Sequence, residues 1–151
     1  MSEQDDPFTG TWRFNAQRSK LTTPIPQSWV QEITATRDTV QVRETIVRLD
    51  GSRTAVEVLA RFDGREYLVT GSPVADTIAY ERVSSNIISG TGKRNGGIAL
   101  RETVIVSPET HTLTLSYSIL SGVLEVAGGV AVFEKDGGDG IRRSLPQRKG
   151  P

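Results

Sequence analysis

The chain has no cysteine among its 151 residues. Disulfides, thiolate nucleophiles and cysteine-based metal sites are therefore excluded outright. A single histidine, His111, cannot build a histidine-rich metal site or a pair of imidazole acid/base groups. Neither sign of charge is in excess: 18 basic and 18 acidic side chains give a formal net charge of zero. Nothing in that balance draws the whole protein toward nucleic acid or an anionic membrane. No apolar run approaches the roughly 20 residues of a membrane-spanning helix. The start, from Met1 to Pro7, is polar and acidic, the opposite of a signal peptide. It reads as a cytoplasmic start, or a periplasmic one if a precursor segment has been trimmed. Also missing is a clean apolar period of 3.6 over ten residues or more; only the short Ser121–Val126 hints at one.

What is present favours strands. Thr, Val and Ile make up 41 of the 151 residues, and their branched Cβ suits a pleated backbone better than a helix. Gly10-Thr11-Trp12 opens the pattern. A glycine there lets a first strand bend, and the indole plugs one end of a small closed barrel. Alternation and turn residues mark about ten strands. The expected segments are Thr9–Phe14, Trp29–Thr36, Thr39–Leu49, Thr54–Phe62, Glu66–Thr70, Thr77–Val83, Ile87–Lys93, Ile98–Val106, Thr112–Leu120 and Val130–Lys135. Asn15–Gln27 is expected as a loop stiffened by Pro24 and Pro26. Asp50-Gly51 and Asp63-Gly64 are hairpin turns, because such turns need positive φ. Gly71-Ser72-Pro73 breaks the sheet. Consecutive hairpins without a long crossover favour closure over two packed sheets. The reading is all-β: a single antiparallel up-and-down barrel of about 8–10 strands over residues 8–135. Residues 1–7 are expected to be a flexible start. Residues 136–151, rich in glycine and charge, are expected to be a disordered tail.

Three motifs carry a resemblance. Gly10-Thr11-Trp12 is followed by Phe14-Asn15 and, further on, Ser19-Lys20. Asp63-Gly64 leads through Tyr67, Val69, Gly71 and Pro73 to Ala75-Asp76-Thr77. Phe133-Glu134-Lys135 closes the last strand. With these marks the chain resembles lipocalin-like, calycin-type barrels of bacteria, a group of small and mostly uncharacterised proteins. The resemblance implies a barrel with a cavity and no established reaction. The chain departs from it at Gly122–Gly129, which is more apolar than the polar turn expected there.

The chemistry on offer is narrow. Gly90-Thr91-Gly92-Lys93 looks like part of a phosphate loop, but Ile87 replaces the first glycine and Arg94 the magnesium-binding hydroxyl. It reads as a strand end with flexible glycines. His111 reads as an exposed turn residue; a catalytic role would need a partner that no motif supplies. Glu44 alternates in register with Val40, Val42 and Ile46, and Glu102 with Ile98, Leu100, Val104 and Val106. Both carboxylates should therefore point inward. Arg82 shares a face with Ile78 and Tyr80, and Tyr117 with Leu113, Leu115 and Ile119. Three readings stay open. Arg82 pairs with Glu44 or Glu102 in the barrel wall; or these groups orient the polar end of a ligand; or a desolvated carboxylate moves protons. Trp29 reads as a core aromatic or as a lid over the mouth.

These residues define the expected function: a small-molecule-binding barrel for an apolar or amphipathic ligand, with Trp29, Tyr67, Tyr80, Arg82 and Tyr117 as ligand-binding residues. The alternative is a cofactor-free isomerase or cyclase that uses Glu44 or Glu102 as a catalytic carboxylate on a hydrophobic substrate. No cofactor and no metal are expected, and no nucleic-acid or membrane-spanning role. The protein should be a monomer or a weak dimer.

Overall fold

Branched side chains, 41 of the 151 residues, favour an extended backbone. The computed structural model describes residues 6–136. It contains ten strands: β1 (Gly10–Leu21), β2 (Ser28–Ala35), β3 (Thr39–Val47), β4 (Arg53–Arg61), β5 (Glu66–Thr70), β6 (Thr77–Ser84), β7 (Ile87–Arg94), β8 (Gly97–Val106), β9 (Thr112–Ser121) and β10 (Leu124–Asp136). Each strand pairs antiparallel with the next, and β1 pairs with β10, so the sheet closes on itself. The fold is thus all-β, a single up-and-down barrel. No helix among the described residues is long and apolar enough to cross a membrane. Residues 1–5 and 137–151, expected as the outer parts of a flexible start and a disordered tail, lie outside the described residues.

Most strand boundaries fall within two residues of expectation. Two differ by more. Asn15–Leu21 continues β1 instead of opening a loop. The register against β10 jumps from Asn15↔Val132 to Lys20↔Val130, so residues 16–19 bulge outward. Local bonds hold that bulge: the Asn15 side chain accepts from the Gln17 and Arg18 amides, and the Ser19 hydroxyl donates back to the Asn15 carbonyl. The second difference is β10, which starts at Leu124. The apolar stretch after Gly122 is strand because the two-residue turn Gly122-Val123 lays it directly along β9. A turn of the same length at Asn95-Gly96 has φ of 52° and 84°, the left-handed pair that type I′ hairpins require.

Alternate hairpins put the connections at two ends, and the ends differ. At one end the barrel is sealed. Trp12 and Phe8 are fully buried, with Phe133, Leu113 and Val106 beside them. The Trp12 indole N–H donates to the Phe8 carbonyl at 3.0 Å. The Arg82 guanidinium donates to both carboxylate oxygens of Asp6, at 2.9 and 3.1 Å, and to the carbonyls of Thr36 and Ser85. It also stacks over the Phe8 and Phe62 rings. One side chain thereby joins the N-terminal segment to three turns. Two expectations change here. Asp6, placed by its polar surroundings in a flexible start, is buried as the partner of Arg82. Arg82 itself pairs with Asp6 rather than with Glu44 or Glu102. Alternation placed it on the inner face correctly, but its position near the end of β6 carries the guanidinium to the sealed rim.

Gly10 completes the plug. A Cβ there would meet the Lys135 stem at 2.6 Å, and the Lys135 ammonium crosses over the Trp12 ring at 5.5 Å. We expect Trp12→Ala to cost about 3–5 kcal/mol of stability, the range for deleting a large buried aromatic. Urea unfolding of the two proteins measures it. A loss under about 1 kcal/mol would mean that the indole does not plug the core.

Candidate functional site

The interior begins with the period of two. Val40, Val42, Glu44 and Ile46 line it from β3, and Leu100, Glu102 and Val104 from β8. Pairing along β3 is regular on both edges from Val40 to Val47, so no bulge turns Glu44 outward. In β8 the register slips between Gly92 and Lys93 and skips Ala99. Ile98, expected on the inner face, therefore drops out of the cavity lining, while Glu102 keeps its inward place.

Between these faces the barrel is hollow. A chamber of about 540 Å³ opens at the end opposite the Trp12 plug and narrows into a deeper void of about 100 Å³. The two share Glu44, Val56, Ser72, Leu100, Glu102 and Leu115. The combined space is of the size that takes a small organic molecule. Its rim comes from three loops: Thr23–Pro26, Arg48–Asp50 and Ser72–Val74. The prolines expected to stiffen the first of these loops stand at the entrance.

Polar groups inside are few and their environments differ. The Glu44 carboxylate accepts from the Trp29 indole N–H at 2.9 Å and from the Gln31 amide at 2.8 Å. Burial pushes its pKa up, and these two hydrogen bonds partly offset that. Glu102 has no such support. Burial pushes its carboxyl from 4.5 up to about 7, and the charge of Glu44 adds to the effect. Glu102 lines both the chamber and the deeper void. Burial also drives the Tyr80 hydroxyl well above its ordinary value, with Glu102 and Glu44 contributing. Burial raises Tyr117 as well, Glu44 adds to it, and the Thr23 hydroxyl partly offsets both.

Of the residues expected at the site, the fold brings together Glu44, Glu102, Trp29, Tyr80 and Tyr117. Trp29 is a core aromatic: its ring packs edge-on against Phe133 at 5.1 Å and tilted against Phe14 at 5.4 Å. It forms wall, not lid. Two residues lie elsewhere. Arg82 is held at the sealed end, as described. Tyr67 is half-buried on β5, and its hydroxyl donates to Asp63 at 2.7 Å, away from the chamber. The local Asp63-Gly64 turn captures it. His111 sits exposed in the turn between β8 and β9, at the sealed end.

Two contributors escaped the reading of the sequence. Gln31 is buried and is one of the two donors that hold Glu44. Its alternation with Trp29 and Ile33 was the available signal. Gly90 is the other. It lies mid-strand between Tyr80 on β6 and Glu102 on β8. A Cβ there would meet the Tyr80 ring at 3.0 Å and the Glu102 Cγ at 3.2 Å. The Gly-x-Gly of β7 thus leaves room inside the barrel rather than flexibility at a strand end.

The Glu102 environment has a measurable consequence. The folded protein holds that proton more tightly than the unfolded chain, whose carboxyl titrates near 4.5. Between pH 4.5 and about 7 the unfolded state has lost the proton and the folded state keeps it, so stability falls as pH rises and then levels off. We expect Glu102→Gln to remove the Glu102 part of this slope and leave the part that Glu44 supplies. Urea unfolding should find variant and wild type alike near the low end of that window. At about pH 8 the variant should be more stable by about 1–3 kcal/mol. An equal difference at both pH values would contradict the burial of a strained carboxyl.

The closed ten-stranded antiparallel barrel is compatible with a lipocalin-like fold. No protein-family model matches the chain, and no curated protein matches it either.

Proposed function

We propose that this protein is a lipocalin-like carrier that holds a small apolar or amphipathic molecule inside its barrel. One observation carries the reading: a chamber of about 540 Å³, open at one end only, with aliphatic walls and a few polar groups at depth. Apolar walls take the body of a ligand, and the polar groups orient it. Closure of the ladder leaves no edge strand among the described residues to recruit a second copy, which supports a monomer or weak dimer.

The test is a neutral, environment-sensitive dye such as Nile red. It should bind with enhanced emission and be displaced by a long-chain alcohol. Tyr117→Trp should weaken binding at least about fivefold, the equivalent of ~1 kcal/mol of overpacking at the chamber wall. Unchanged emission with wild-type protein would defeat the proposal.

A second reading has its own support in Glu102. A carboxyl with a pKa raised to about 7 is suited to take and return a proton at neutral pH. In that reading the protein is a cofactor-free isomerase or cyclase, Glu102 is the acid/base, and Glu44 is held in place by Trp29 and Gln31. Turnover that rises through about pH 7 and vanishes in Glu102→Gln would favour it over the carrier.

A further inference from the structure

Two polar groups deep in the chamber have no partner among the described residues. Among the described residues Glu102 accepts no hydrogen bond and meets no cation, and the Tyr80 hydroxyl makes no hydrogen bond. Glu44 lies in the same space with one oxygen engaged by Trp29 and Gln31. No lysine, arginine or histidine lines the deeper void. The only cation among the residues lining the outer chamber is Arg48, at the rim, beside Asp50. Hydrogen bonds from Ser52 hold the Asp50 carboxyl low, and the Arg48 charge adds to them. The one other candidate on the inner face, Arg82, is taken by Asp6 at the sealed end. Among the described residues the deeper void thus presents two carboxyls and the Tyr80 phenol in a largely aliphatic wall, with no positive charge to balance them.

Such a set is costly when empty and selective when filled. A carboxylate removed from water needs a charge partner and hydrogen-bond donors. The described residues supply donors to Glu44 and none to Glu102. Resting on the reading of this chamber as a ligand site, we propose that its ligand is an amphipathic amine that enters head first, with its ammonium group on Glu102. The ammonium brings the missing charge and up to three donors. Glu102 accepts one at full charge-assisted strength. The free oxygen of Glu44 and the Tyr80 hydroxyl are the remaining acceptors around the same space. Val56, Leu100 and Leu115 surround the first part of the chain, and Ile46, Ile119 and Ile25 the part nearer the mouth. An anionic amphiphile in this orientation would place its carboxylate against two others. The niche at Gly90 matters here: a side chain there would push the Tyr80 ring and the Glu102 stem apart.

The experiment is displacement of bound Nile red by three probes of one chain length, dodecylamine, dodecanol and dodecanoate, each below its micellar range. At about pH 8 the amine is charged and Glu102 largely ionised. Dodecylamine should displace the dye at a concentration at least about tenfold lower than either of the others, the factor a charge-assisted hydrogen bond supplies. In Glu102→Gln the amine should fall to the level of the alcohol, while the alcohol stays within about threefold of its wild-type value. If that variant does not fold, the ranking of the three probes on the wild type decides. Dodecanoate binding as well as the amine, or an amine preference that survives in Glu102→Gln, overturns the inference. Dye displaced by alcohol without amine preference overturns it alone and leaves the carrier reading intact. Dye that never binds overturns both.

Discussion

Pairing of β1 with β10 is the constraint on which the rest depends. From Thr11↔Asp136 to Asn15↔Val132 the first and last strands complete the ladder. Without that seam the sheet would keep two bare edges, and its inner face would have nothing to enclose. With it, every inward side chain faces another strand across a common interior. The seam is also non-local in the extreme, because it joins residues more than a hundred positions apart. Chain entropy opposes such a contact until much of the meander has formed. The groups gathered at the sealed end reward it: Trp12 from β1, Phe133 from β10 and Phe8 from the approach to β1 are all fully buried there.

The two ends of the barrel divide the work. At the sealed end the charged group is fully partnered. Arg82 has a bidentate carboxylate, backbone carbonyls and two aromatic faces, so its burial costs little. Deep in the chamber the balance is reversed. Glu102 sits among aliphatic residues, with no donor among the described residues and near another carboxyl. A structure selected for stability alone would place an apolar residue or a glutamine there. In the proposed reading, this buried acid, unpartnered among the described residues, is the group whose partner arrives with the ligand.

The barrel was legible because its determinants are local. Alternation around Glu44, Trp29 and Tyr80, with Asp-Gly and Asn-Gly turns between strands, specifies which residues pair as neighbours and which face inward. Period two suffices to aim Glu44 and Glu102 at one interior. It failed at Ile98, where a one-residue slip opposite Gly92 and Lys93 reverses a face without leaving a mark in composition. It also failed at Asn15–Leu21, where side-chain bonds to the backbone hold a bulged strand in a stretch that reads as loop.

By itself, then, the amino-acid sequence determined the class of fold, the order of strands and the inward aim of both carboxyls, since each follows from neighbours a few residues apart. Partners were decided only by tertiary structure. Alternation offered Arg82 only Glu44 or Glu102; closure of the barrel puts it beside Asp6. The donors to Glu44 come from β2, and the gap beside Glu102 from a glycine on β7. Whether a charge is satisfied depends on which distant strands lie across from it, and period two carries no information about that distance.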